Sequence, residues 1–246
     1  MDIDSFLALT RNRRSMRRFK TDPVPDEIIN KILECARWSM SGGNSQPWEF
    51  IVVKDPAAKK KIAEAYTKNW MRTYTLEKMR KEEYRHQLFT APPTGTYGFE
   101  DAPVWIVACG DPRTYMGTVM IATYYNGDGG PNATYLKNMA NPVMLINLAA
   151  SACGLGAQWL SVGDTFERTI KEVLDIPDEI EVHDIIPIGY PAYDPPAPYR
   201  RQLQEIVHYE KYDHSRLRTE DDILDYIRKL REMAKSTYAR AKELEK

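Results

Sequence analysis

An α+β fold is predicted for this chain of 246 residues by three features. Ile28, Ile29, Ile32, Leu33 and Ala36 form an apolar stripe at helical spacing. Val104-Trp105-Ile106-Val107-Ala108-Cys109 is a continuous apolar run that reads as a fully buried strand. The uncharged stretch from Pro142 to Gly163 contains Asn147, Ser151, Gln158 and three glycines, so a buried helix followed by a buried strand suits it better than a membrane span.

In chain order, Asp4 is positioned to cap a first helix that runs to about Arg13 and carries Phe6 and Leu9 on one face. Pro25, followed by Asp26 and Glu27, starts the striped second helix, because proline is pre-organised for the first turn and acids suit its dipole. Strands are expected at 50–53 and 104–109, a core helix at 143–153, and a strand at 158–162. Asp164 is expected to cap a helix through about Leu174, and a last strand covers 182–188. Asp194-Pro195-Pro196-Ala197-Pro198 reads as a stiff extended connector rather than a domain linker. Beyond Asp213 the chain is charged and helical, and Ile223, Ile227, Leu230, Ala234, Tyr238, Ala241 and Leu244 make a stripe that must cover something. One domain over 1–246 is the expected organisation, with 66–140 holding lid and pocket insertions and 214–246 a helical extension.

Composition excludes several function classes. With 43% hydrophobic residues the chain can bury a full core. Its net charge of −1 argues against a general polyanion binder, which needs a basic excess to displace counterions from phosphates. Cys35, Cys109 and Cys153 are odd in number and far apart, so neither a disulfide framework nor a zinc site is indicated. The scattered His86, His183, His208 and His214 read as structural. Met1-Asp2-Ile3-Asp4 lacks the basic and apolar regions of a secretory leader, which predicts a cytoplasmic protein with no membrane partner.

Against that near-neutral background, Arg13-Arg14-Ser15-Met16-Arg17-Arg18-Phe19 packs four guanidinium groups and a hydroxyl into six positions. Guanidinium forks match phosphate oxygens in bidentate geometry, so the cluster reads as a clamp for one small phosphate. A short helix downstream, Ser39-Met40-Ser41-Gly42-Gly43-Asn44-Ser45-Gln46-Pro47-Trp48 leaves the backbone open to a flat polar ring and leads straight into a strand. Together the two segments suggest a flavin site.

In this order they resemble the FMN-dependent nitroreductase family, whose chains open with Arg-Arg-Ser-x-Arg-x-Phe and continue with a Ser-x-x-Asn-x-Gln-Pro-Trp turn. Three later segments agree: Cys153-Gly154-Leu155-Gly156-Ala157, Ile186-Pro187-Ile188-Gly189-Tyr190-Pro191, and Pro195-Pro196-Ala197-Pro198-Tyr199-Arg200-Arg201. The resemblance spans roughly 5–213. It implies a central, mostly antiparallel sheet flanked by helices, in a homodimer whose C-terminal extensions are exchanged. It assigns Arg13, Arg14 and Ser15 to the FMN phosphate, joined by Arg200 and Arg201. Arg17 falls to the pyrimidine edge of the ring, where a cation stabilises the reduced flavin. Ser39, Ser41 and Asn44 would approach the flavin of the neighbouring subunit, with Met40 packing on the ring or its ribityl chain. A backbone N–H at Gly163 is the candidate partner of flavin N5, and a glycine there lets the ring come close. No side chain is assigned a catalytic role.

The implied activity is an NAD(P)H oxidoreductase passing hydride through flavin N5 to a nitroaromatic, a quinone or a related small acceptor. The chain has no Gly-x-Gly-x-x-Gly element, so the nicotinamide would bind in the open pocket by exchange. Aromatics for an acceptor pocket are available at Tyr66, Trp70, Tyr74, Tyr84, Phe89, Tyr97, Phe99, Tyr115, Tyr124, Tyr125 and Tyr135. A helical segment between Glu64 and Phe89 is also similar to the lid of flavin dehalogenases of the iodotyrosine deiodinase type. Reductive dehalogenation and non-enzymatic flavin binding are therefore the alternative readings.

Overall fold

The structure, a computed structural model, describes residues 2–81, 85, 98–119 and 130–243. The chain divides into two compact units, Met1–Asp194 and Pro195–Lys246. The sheet of the first unit comprises β1 (Trp48–Val53), β2 (Val104–Gly110), β3 (Gly156–Ala157), β4 (Leu160–Ser161) and β5 (Glu181–Gly189). Strand order is β1-β2-β5-β3, with β4 also on β5, and every pairing is antiparallel. The expected α+β architecture with an antiparallel centre is therefore observed.

β2 is buried along its whole length because both faces are covered. On one face Trp105, Val107 and Cys109 pack with residues of α3 (Pro56–Lys78) and α6 (Asp164–Leu174). On the other, Val104, Ile106 and Ala108 meet the stripe of α2 (Asp26–Arg37) and Val143, Ile146 and Ala150 of α5 (Gly130–Ala152). This alternation follows from the two-residue side-chain period of a strand. α4 (Pro112–Val119) follows β2, and Tyr115 on it joins Trp48, Tyr135 and Met139 in a third, smaller cluster.

Several boundaries differ from the sequence reading for local reasons. α1 (Ile3–Asn12) is capped by Asp2, not Asp4, because the Asp2 carboxylate accepts from the Ser5 N–H at 2.7 Å. No residue of α1 is buried and Phe6 is exposed, although the helix lies against α5 with Leu9 half-buried. α6 is capped by Gly163, and Asp164 is its first helical residue. The single strand expected at 158–162 is two short strands, β3 and β4, separated around Gln158. α5 starts well before residue 143 and carries Pro142 in its interior.

The second unit holds two 3₁₀ turns, Leu203–Glu205 and His214–Arg216, and the helix α7 (Glu220–Glu243). Its turns are closed by side chains: Gln202 and Glu205 form a reciprocal capping box, and Asp213 caps the second. Hydrogen bonds from Ser215 and Arg216 hold the Asp213 carboxyl down at about 2. Among the described residues, no helix is long and apolar enough to cross a membrane.

Candidate flavin site and the adjoining cleft

The arginine segment is not a solvated tail. It runs extended along the sheet edge, where Ser15 bridges Ala157 of β3 and the Met16 N–H donates to the Ala157 carbonyl at 2.9 Å. Phe19 bridges Pro191 and Lys20 N–H donates to Tyr190. Met16 and Phe19 are core residues, and Gly156 leaves room for Met16, whose Cγ would lie 2.7 Å from a Cβ there. These two anchors fix the backbone that carries Arg17, while Arg13 and Arg14 sit between the end of α1 and the Ser15 bridge; all three arginines are half-buried and Ser15 is exposed. The Arg14 guanidinium donates through Nη1 to the carbonyls of Arg11 and Arg13, while its buried Nε has no hydrogen-bond partner among the described residues. A buried unsatisfied donor costs about 1–3 kcal/mol, more for a charged group, which a ligand oxygen would offset.

The second segment leaves α2 and turns into β1 through a strained loop. Gly43, Asn44 and Gln46 have φ of 61°, 52° and 45°, left-handed values interrupted by right-handed Ser45, and only the glycine adopts them at no steric cost. Such strain persists where surrounding bonds over-determine it, and here they are present. The Ser41 hydroxyl accepts from the Gln46 N–H at 3.0 Å. From α5, Asn138 accepts the Gly42 N–H at 3.1 Å, and Asn141 donates to the Met40 carbonyl at 2.8 Å. Pro142 cannot donate to the Asn138 carbonyl, so the helix is relieved of a bond where it grips the loop. Ser39 Oγ is buried with no partner among the described residues, whereas Met40 and Asn44 are exposed. Pro47 and Trp48 are buried, as expected of structural residues.

Gly163 lies at the junction of β4 and α6 with φ −105°, which any residue adopts. A Cβ there would meet nothing within 4 Å, so the chain's own packing does not demand a glycine.

The segment leading to Gly163 walls a cleft of about 480 Å³, lined among others by Met139, Trp159, Ser161, Glu181, His183 and Asp184. A register shift between β2 and β5 pairs Ala108 with Asp184 and Cys109 with Val182, leaving His183 as the extra residue of a bulge. The bulge therefore brings two consecutive ionisable side chains to one wall. Asp184 Oδ1 accepts from Trp159 Nε1 at 2.6 Å. His183 Nε2 lies 3.0 Å from the Tyr135 hydroxyl and 3.4 Å from Glu181 Oε2. Burial pushes the His183 pKa down and that of Asp184 up. Of these residues the sequence singles out only Tyr135, among the aromatics available to an acceptor pocket, and His183 reads there as structural. A bulge leaves no compositional mark.

Arg200 and Arg201 lie in the second unit. Arg200 donates to the Tyr199 carbonyl at 2.9 Å, and Arg201 to the Glu205 carboxylate at 3.3 Å and carbonyl at 2.7 Å. Most of the described aromatics serve the core. Tyr66 packs edge-on to Phe99 at 5.0 Å and Phe166 at 5.6 Å, while Tyr115 and Tyr135 are buried together. Tyr84, Phe89, Tyr97, Tyr124 and Tyr125 lie outside the described residues.

Residues 10–190 match the model of the nitroreductase family, a span that includes both loop segments, the sheet and the cleft. The chain belongs to the nitroreductase family. A protein of Archaeoglobus fulgidus assigned as an NADH dehydrogenase/NAD(P)H nitroreductase is 30% identical over 191 residues, covering 77% of this chain and 87% of that one. The 5,6-dimethylbenzimidazole synthase of Rhodospirillum rubrum is 29% identical over 200 residues, 81% and 88% of the two chains. In fold, this nitroreductase-family chain is similar to oxidized iodotyrosine deiodinase bound to FMN and 3-iodo-L-tyrosine. The TM-score is 0.63 at 23% identity, over 84% of this chain and 99% of that one. As a family member, the protein is an oxidoreductase enzyme.

Proposed function

We propose that the protein is an FMN-dependent NAD(P)H oxidoreductase reducing a nitroaromatic, a quinone or a related small acceptor. The observation that carries this reading is the pair of buried, unpartnered polar atoms, Arg14 Nε and Ser39 Oγ, one in each segment assigned to the cofactor. When bound, FMN supplies two-electron hydride chemistry at its N5, accepting from the nicotinamide and delivering to the acceptor. The chain's part is to hold and tune. Arg13, Arg14 and Ser15 offer donors to the phosphate from a backbone held between the end of α1 and the Ser15 bridge. Arg17 places a positive charge at the pyrimidine edge. Gly163 leaves its backbone open to close approach, and Ser39, Ser41 and Asn44 serve the flavin of a second subunit. An active monomer in sedimentation would contradict the last assignment.

Reductive dehalogenation is the second reading, favoured by the fold likeness to iodotyrosine deiodinase. Titration of the apoprotein with flavins tests the shared cofactor assignment. FMN should bind and FAD should not, and Arg14→Ala should lose about 1.5–3 kcal/mol, the range for a hydrogen bond to a charged group. That is roughly a ten- to hundredfold weaker Kd. A preference for FAD, or an unchanged FMN affinity in the variant, contradicts the assignment. An acceptor panel that turns over halogenated phenols but neither quinones nor nitroaromatics favours the second reading.

A further inference from the structure

The cleft beside Ser161–Gly163 contains a built arrangement that holding a flavin does not require. Tyr135 of α5 and His183 of the β5 bulge meet over Gly110, and the glycine is what admits them. A Cβ at Gly110 would collide with Tyr135 Oη and lie 2.9 Å from His183 Nε2. The hydroxyl and the imidazole stand 3.0 Å apart, and Glu181, whose side chain is 48% exposed, brings Oε2 to 3.4 Å from the same imidazole nitrogen. Tyr135 and Glu181 thus hold the same nitrogen of His183, Nε2, while the ring lines the cleft. A base fixed by a second group at one nitrogen is the arrangement that aims the other for proton transfer.

We propose that His183 is the proton-transfer residue of this cleft, oriented at Nε2 by Tyr135 and Glu181. It would protonate the oxygen of a quinone-class acceptor as that acceptor is reduced. This rests on the oxidoreductase reading above. The step balances as follows: reduced flavin gives up a hydride to the acceptor and is oxidised, the acceptor oxygen takes a proton from the imidazolium, and the ring is left neutral. The neutral ring keeps its proton at Nε2, against Tyr135 and Glu181, and its other nitrogen is reprotonated from solvent through the cleft. In reverse, the neutral ring takes the proton of a phenolic hydroxyl.

The groups facing His183 come from every packed element. Glu181 and Asp184 lie on its own strand and Tyr135 on α5. Glu167 lies on α6, where it is paired with Lys171 at 3.2 Å. From β2 comes the Cys109 thiol, which burial pushes up to about 12 and so keeps neutral. Asp111, after β2, acts on Tyr135. The neighbouring carboxylates favour the imidazolium, but desolvation outweighs them and the ring titrates below its ordinary range. Acceptor reduction should therefore slow as pH rises through and above that range.

Two measurements test the proposal. In the first, FMN-loaded protein reduced with dithionite is mixed with benzoquinone, for wild type, His183→Gln and Tyr135→Phe across pH 5.5 to 9. Both variants should reoxidise roughly tenfold slower or more at the acidic end, the lower side of a typical general-acid contribution, and lose the pH dependence. The second uses apoprotein and 4-nitrophenol, whose visible band reports loss of its proton. Wild type should bind it at least tenfold more tightly than His183→Gln and shift its band, and Tyr135→Phe, which preserves the buried ring, should bind it with a smaller shift. Equal reoxidation rates in all three proteins, or equal phenol affinities, overturn the proton-transfer role while leaving the oxidoreductase reading intact. Failure of the wild type to be reduced by either nicotinamide, with normal phenol binding, overturns the oxidoreductase reading instead.

Discussion

At the scale of single residues, the site is written in unsatisfied and shifted groups rather than in conspicuous charges. Arg14 Nε and Ser39 Oγ carry the cofactor argument because a buried donor without a partner is costly. The surface ion pairs, such as Lys31 with Glu27, contribute little by comparison. His183 gives a pH prediction of its own. Its folded-state pKa lies below the ordinary 6.5, so protonating it costs the folded state. That cost is absent above the unfolded pKa and grows as pH falls through 6.5 toward the folded value. Thermal unfolding should therefore show Tm dropping between about pH 7.5 and pH 5.5, with a smaller drop in His183→Gln, since imidazole is the side chain that titrates in this window. An identical drop in both proteins would mean that other groups dominate the acid response.

At the scale of elements, α5 is the organiser. It supplies Val143, Ile146 and Ala150 to the core, Asn138 and Asn141 to the strained loop, Met139 to the cleft wall, and Tyr135 to His183 behind it. Asn138 is buried and bonds both Gly42 N–H and Ser45 Oγ. Asn138→Ala should cost about 1–3 kcal/mol of stability through the unsatisfied Gly42 donor, measured by urea denaturation. It should also weaken FMN binding, because Ser39, Ser41 and Asn44 lose their support. Lost stability with FMN affinity unchanged would detach this loop from the cofactor. The β5 bulge is the other decisive element, since without it His183 and Asp184 would point to opposite faces.

At the scale of the whole molecule, the fold was legible because its signals are periodic. The α2 stripe and the apolar run of β2 survive in the structure with little change, as one covers the sheet and the other lies in its centre. The Arg13–Phe19 and Ser39–Trp48 segments were legible by composition. What sequence did not disclose depends on pairing across the chain: the break between β3 and β4, the asparagine grip from α5, the bulge, and the Gly110 gap that seats Tyr135 against His183. Each joins residues distant in sequence, and none alters a local pattern. In the proposed reaction this oxidoreductase takes electrons from a nicotinamide and passes them to a small aromatic acceptor through bound FMN. Anaerobic stopped-flow mixing of the FMN-loaded protein with NADH and with NADPH, followed by a quinone or a nitroaromatic, tests it most directly. Bleaching of the flavin by at least one nicotinamide and full recovery of its colour on adding acceptor is the predicted result. A flavin that stays oxidised with both nicotinamides, yet is reduced by dithionite, would contradict the claim.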